Sequence, residues 1–121
     1  MTTPVGPYSP IVRAGGLLIT SGQLGLLPGT GGPAVLAEGG TTEELRQALR
    51  NGLGLLEGEG ASITDIVKAT VYLTDMKEFA AVNEVWVGFF GSHRPARTAV
   101  EVSALPLGAR IEVELWATAT R

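Results

Sequence analysis

A chain of 121 residues with no cysteine, nine Lys and Arg and twelve Asp and Glu, for a net charge of −3, is sized for one domain over residues 1–121. The missing cysteine excludes disulfides, thiolate metal sites and cysteine nucleophiles. The acidic balance counts against nucleic-acid binding, which rests on phosphate neutralisation. With no basic-then-apolar leader and no apolar run of spanning length, a cytoplasmic protein without membrane contact is expected.

In chain order, Met1 to Val5 reads as a frayed start. Pro7 and Pro10 then hold Tyr8 in an extended segment. Ile11 to Arg13 and Leu17 to Gln23 read as two strands joined by a turn at Ala14-Gly15-Gly16. Gly22, inside Ser21-Gly22-Gln23, lets a ligand or backbone approach closely. Leu24 to Gly40, rich in Gly and Pro, reads as a long surface loop.

Thr41 to Leu56 has helical spacing, with Thr41 and Glu44 in the capping-box arrangement. Gly52 and Gly54 suggest close packing on a sheet, and Gly58 and Gly60 a stop. Ile66 to Leu73, IVKATVYL, is the strongest strand and is expected to be central. Thr74-Asp75 caps a second helix, Met76 to Phe90, whose buried stripe is Phe79, Val82, Trp86, Phe89 and Phe90. The order β-β-α-β-α-β-β predicts an α+β fold with two helices on one face of a mixed sheet.

The last two strands alternate. Thr98, Val100 and Val102 point one way and Arg97, Ala99 and Glu101 the other. Ile111, Val113, Leu115 and Ala117 oppose Arg110, Glu112, Glu114 and Trp116. With the apolar sets turned to the core, the opposite face collects Arg97, Glu101, Arg110, Glu112 and Glu114. That pattern fits a plain cross-strand ion pair on a wet face. It fits less well a guanidinium that binds a small carboxylate beside a carboxylate that positions water. The mixed face suits a subunit interface with polar pockets.

The usual nucleotide, hydrolase and metalloprotease signatures are absent. Gly29, Gly31 and Gly32 are not bracketed as a dinucleotide site. His93, the one histidine, reads as a solvated loop residue and cannot anchor a zinc site alone.

Gly6-Pro7-Tyr8-Ser9, Ser21-Gly22-Gln23, Phe79-Ala80-Ala81-Val82-Asn83, Pro95-Ala96-Arg97-Thr98-Ala99-Val100-Glu101-Val102, Leu105-Pro106 and Ile111-Glu112-Val113-Glu114 occur in this order. Over nearly the whole chain from Gly6, this closely resembles the Rid (YjgF) family of reactive intermediate deaminases. The resemblance implies a trimeric fold like that of the α+β chorismate mutases, with three clefts between subunits. It implies hydrolysis of enamines and imines, such as 2-aminoacrylate, to 2-keto acids and ammonia, without cofactor or metal. Pyridoxal phosphate enzymes would release these 2-imino acids. Carried over by motif, Arg97 binds the substrate carboxylate and Glu112 holds or activates water. Tyr8, Ser21, Gly22 and Asn83 line the pocket. Ala99 stands where many members have cysteine, so no thiol takes part and the pocket is larger and more apolar there. The loop between Phe90 and Pro95 is also short for the family. Alternatives are a non-catalytic binding module for small carboxylates, an RNA-cleaving translation inhibitor, which lacks a basic stripe here, and a chaperone-like holdase. Chorismate mutase activity does not follow from the shared fold.

Overall fold

The computed structural model describes residues 6–29 and 32–119. The predicted frayed start over residues 1–5, and Gly31 of the loop, lie outside them. Six strands form one sheet: β1 (Ile11–Ala14), β2 (Leu17–Thr20), β3 (Gln23–Leu24), β4 (Ile66–Leu73), β5 (Ala96–Glu101) and β6 (Ile111–Thr118). Two α-helices, α1 (Thr41–Gly58) and α2 (Phe79–Phe90), complete the fold. The strand order is β1-β2-β6-β4-β5, with β3 paired to β6 past the end of β2. β4 and β5 run parallel because α2 carries the chain back between them. The other pairs are antiparallel. This is the expected α+β fold, extended by the short β3.

Both helices pack on one face. Leu45, Leu49 and Leu56 of α1 and Val82 and Trp86 of α2 share a core with Ile66, Ala69, Val71 and Leu73 of β4 and Ile111, Val113 and Leu115 of β6. Gly52 is where α1 comes closest. A Cβ there would sit 2.7 Å from Leu115 Cδ1, whereas one on Gly54 would meet nothing. The close approach thus belongs to Gly52 alone. β4 is interior to the sheet as expected, but only one of its faces is buried: Val67 is 42% exposed.

Five local expectations change. Leu17 to Gln23 is not one strand, because Ile19 faces Trp116 and Gln23 faces Val113, so four residues of one strand meet three of the other. The extra residue is a bulge at Ser21-Gly22, which turns Gln23 into the sheet face under α1. In α1, Gly40 occupies the cap position and Thr41 is already helical, with no side-chain cap bond. Glu44 serves elsewhere: its buried Oε1 accepts from the Arg110 backbone N–H at 2.8 Å, tying α1 to the start of β6. Helix α2 begins at Phe79, preceded by a 3-10 turn, Met76–Glu78, that Asp75 caps through the Lys77 N–H. His93 is not simply solvated, since its Nε2 lies 2.7 Å from the Ile66 carbonyl oxygen and fixes the loop after α2 to β4. The loop before α1 is also partly built in. Leu26 bridges to Leu36 and packs with Leu24 and Ala109.

Glu44→Ala is expected to lower stability by about 2 kcal/mol, because it removes the charge-assisted hydrogen bond that a buried carboxylate accepts from the Arg110 N–H. Thr41→Ala is expected to change little, since no cap is lost. Paired thermal melts check the difference.

Candidate active site

Residues paired across a sheet project to the same face. Ala69 pairs with Leu115 and with Arg97, and Val71 with Val113 and Ala99. Arg97 and Ala99 therefore lie on the helix face. Thr70 pairs with Glu114 and with Thr98, and Tyr72 with Glu112 and Val100. These residues occupy the open face. The expectation that Arg97, Ala99 and Glu101 share a face with Glu112 and Glu114 is thus overturned. On β5 the polar set turns toward the helices and the apolar set away from them. Glu101 confirms the direction, since its Oε1 accepts from the Met76 N–H ahead of α2 at 2.7 Å.

The cause is α2. Phe79, Asn83 and Trp86 recur at helical spacing and form a shelf over the edge strand β5. The Arg97 guanidinium lies 5.3 Å from the Phe79 ring centre and 5.0 Å from that of Trp86. It donates to Asn83 Oδ1 at 2.9 Å. Two aromatic rings and an amide hold the charge in place. Burial pushes the Arg97 pKa down, yet arginine remains charged at any ordinary pH. Its other donors remain open to a ligand carboxylate. Ala99 follows on the same face and packs against the core.

The second group sits on the open face at β6. Gly22 of the bulge lies against Glu112: a Cβ on Gly22 would overlap the carboxylate. Among the described residues, no hydrogen bond reaches that carboxylate. Burial, and then the neighbouring charge of Glu114, raise the Glu112 pKa above the usual carboxylate range. Glu114 accepts from the Tyr72 hydroxyl at 2.7 Å. Ser21 anchors the N-terminal segment here. Its Oγ donates to the Ser9 carbonyl at 2.6 Å and its N–H to that of Pro10 at 2.8 Å. Tyr8, just ahead of this anchored segment, is 45% exposed.

Ser21, Gly22 and Glu112 thus lie together on the open face, and Arg97, Asn83 and Ala99 together on the helix face. One chain does not bring the two groups together: β4 intervenes between β5 and β6, a lateral span of about 10 Å, and the side chains leave opposite faces. Phe79 and Trp86 belong to the expected buried stripe of α2, and Trp86 is buried there, yet both rings also face the Arg97 guanidinium, which was not expected. The polar Asn83 inside their apolar stripe was the available signal. The Tyr72–Glu114 contact had none, since it depends on strand register. Among the described residues, no group of three or more His, Asp or Glu is placed to hold a metal, and no helix is long and apolar enough to cross a membrane.

Gly22→Ala is expected to fold normally, since the far end of Glu112 can swing aside. If that carboxylate serves catalysis, its displacement should still cost about tenfold in turnover. Kinetics alongside a thermal melt check both halves of the expectation.

An anchored guanidinium on one face and, among the described residues, a carboxylate without a hydrogen-bond partner on the other are carried by a two-helix mixed sheet of the α+β class. The family model described as endoribonuclease L-PSP matches residues 1–119. The 2-iminobutanoate/2-iminopropanoate deaminase of Capra hircus is 46% identical over 110 residues, which cover 91% of this chain and 78% of that protein. The crystal structure of RidA from an Antarctic Psychrobacter has a TM-score of 0.90 and 39% identity, covering 97% of this chain and 92% of that one. E. coli TdcF, solved with bound serine, has a TM-score of 0.88 and 34% identity, covering 97% and 91%. The chain belongs to the endoribonuclease L-PSP family, also called the Rid or YjgF family.

Proposed function

We propose that the chain hydrolyses 2-imino acids, and the enamines that tautomerise to them, to 2-keto acids and ammonia in clefts between the subunits of a homotrimer. The observation that carries this reading is the split site. Each half lacks what the other holds, and the halves lie on opposite faces, so a neighbouring copy is needed to join them. A cyclic assembly that covers the open face supplies such a contact at every interface. The goat relative's name supports the imine chemistry, and TdcF with serine supports a small amino-acid-like ligand.

In this reading Arg97, steadied by Asn83, binds the substrate carboxylate. Glu112 of the adjoining subunit faces the imine carbon and nitrogen. An enamine first takes a proton at carbon. Water then adds to the C=N carbon, forming the C–O bond as the π pair moves to nitrogen and is protonated. In the resulting carbinolamine the C–N bond breaks, ammonia leaves with the electron pair, and the hydroxyl loses its proton to give the keto acid. Glu112 gives and takes these protons. Ser21 and Gly22 border the ligand and Tyr8 closes the cleft. Ala99 leaves room beside Arg97 and supplies no thiol; orientation and a placed water suffice. Pyridoxal phosphate enzymes that release enamines are the natural suppliers of substrate.

The test is a coupled assay in which an amino-acid oxidase or a serine/threonine dehydratase generates the imine and semicarbazide competes for it. Less semicarbazone and more keto acid with the wild-type protein support the proposal. No effect across several amino-acid precursors favours a second reading, a small-carboxylate binding module, to which the bound serine of TdcF also lends weight. RNA cleavage fits less well, because Glu112 and Glu114 repel a phosphate backbone.

A further inference from the structure

Tyr72 stands opposite Glu112 in the register of β4 and β6, yet it gives its hydroxyl to Glu114, the next residue of β6 on that face, at 2.7 Å. Such diagonal reach is ordinary for an aromatic side chain on a sheet. The two carboxylates are next neighbours on one strand face and differ in one respect. Glu114 has a donor, while among the described residues Glu112 has none. A hydrogen bond to a carboxylate favours its charged form, and a second carboxylate close by then resists ionisation.

We propose that Tyr72 is a positioning residue: its hydroxyl holds the Glu114 carboxylate in place beside Glu112 and so favours a proton on Glu112, the carboxyl that lies against Gly22. The inference rests on the deaminase reading for its consequence, since that reaction needs a proton at the departing nitrogen. It rests on geometry for its cause. The direction of the Glu112 shift agrees, with burial first and the Glu114 charge second. The Tyr72 phenol is itself pushed up, first by its bond to Glu114, so it remains a donor at neutral pH.

The other ionisable groups around Glu112 do not supply the same effect. On β4, Lys68 is two rows away opposite Trp116 and gives its Nζ to Thr98 at 2.6 Å. On β6, the Arg110 guanidinium lies 3.9 Å from Glu44. The bulge contributes Ser21 and Gly22, and β5 turns Thr98 and Val100 to this face, none of which titrates.

The deciding experiment is a site-resolved carbon NMR titration of the glutamate carboxyls in the intact wild-type protein, Tyr72→Phe and Glu114→Gln, with Glu112→Gln to assign the signal. Glu112 is expected to lose its proton above the usual carboxylate range in the wild type. Tyr72→Phe should lower the Glu112 midpoint. Glu114→Gln should lower the Glu112 midpoint while Tyr72 is intact. In the coupled assay, Tyr72→Phe should reduce kcat about tenfold with KM unchanged, because the carboxylate anchor is remote from it. An unchanged Glu112 midpoint in Tyr72→Phe overturns the inference, whatever happens to activity. Should the wild type hydrolyse no imine, the deaminase reading fails while the titration still decides the coupling.

Discussion

Replacing Arg97 with alanine is expected to lower kcat/KM for 2-imino acids by about a hundredfold or more, with the protein still folded and assembled. Among the described residues, the guanidinium is the one cation placed with Asn83 and the Phe79 and Trp86 rings. Its position is set from outside itself, by the Phe79 and Trp86 rings and by Asn83 Oδ1. Removing it takes away the charge-assisted anchor and leaves the shelf standing. The shelf loses two cation–π contacts and one hydrogen bond, about 2 to 3 kcal/mol together. Arg97→Lys should recover only part of the loss. An ammonium keeps the charge but lacks the planar fork that binds a carboxylate bidentately while stacked on a ring. The coupled assay with a thermal melt checks this. A variant that unfolds, or one that retains full activity, would make Arg97 a structural residue.

Glu112→Gln is expected to cut kcat by about a hundredfold while KM changes little. The amide keeps the shape that fits against Gly22 but cannot exchange a proton with water or ammonia. Its contrast with Arg97→Ala is diagnostic. Loss of the anchor weakens substrate binding as well as turnover, whereas loss of the acid-base group spares binding. A Glu112→Gln variant with a raised KM and normal kcat would place this carboxylate in substrate binding instead.

The sequence made the sheet-and-helix framework readable because its punctuation is local. Gly15 takes positive φ in the β1–β2 turn, Asp75 caps the entry to α2, and Ile111, Val113 and Leu115 alternate into the core. The faces of β5 were not readable, because Thr98, Val100 and Val102 look like an inward set by hydrophobicity alone. Their direction is fixed by the parallel register with β4 and by α2 above it, both products of tertiary packing. Arg97 tolerates the helix side by laying its stem along apolar surface and its charge on aromatic rings. Val100 and Trp116 remain exposed on the open face at 38% and 37%. In the proposed assembly, neighbouring copies cover them. The motifs named Arg97, Asn83, Glu112, Ser21 and Gly22 one by one. Their division into two half-sites was hidden, since it needs the strand order and not the spacing.

The most direct test of that division mixes two inactive proteins. Arg97→Ala and Glu112→Gln are purified separately, then unfolded together at equal concentration, refolded and assayed for imine hydrolysis. In a cyclic trimer whose clefts take Arg97 from one copy and Glu112 from the next, random mixing restores about a quarter of the wild-type sites. Activity near that level in the mixture, with almost none in either protein refolded alone, is the predicted result. A mixture as inactive as its components, beside a wild type that survives the same refolding, would contradict it.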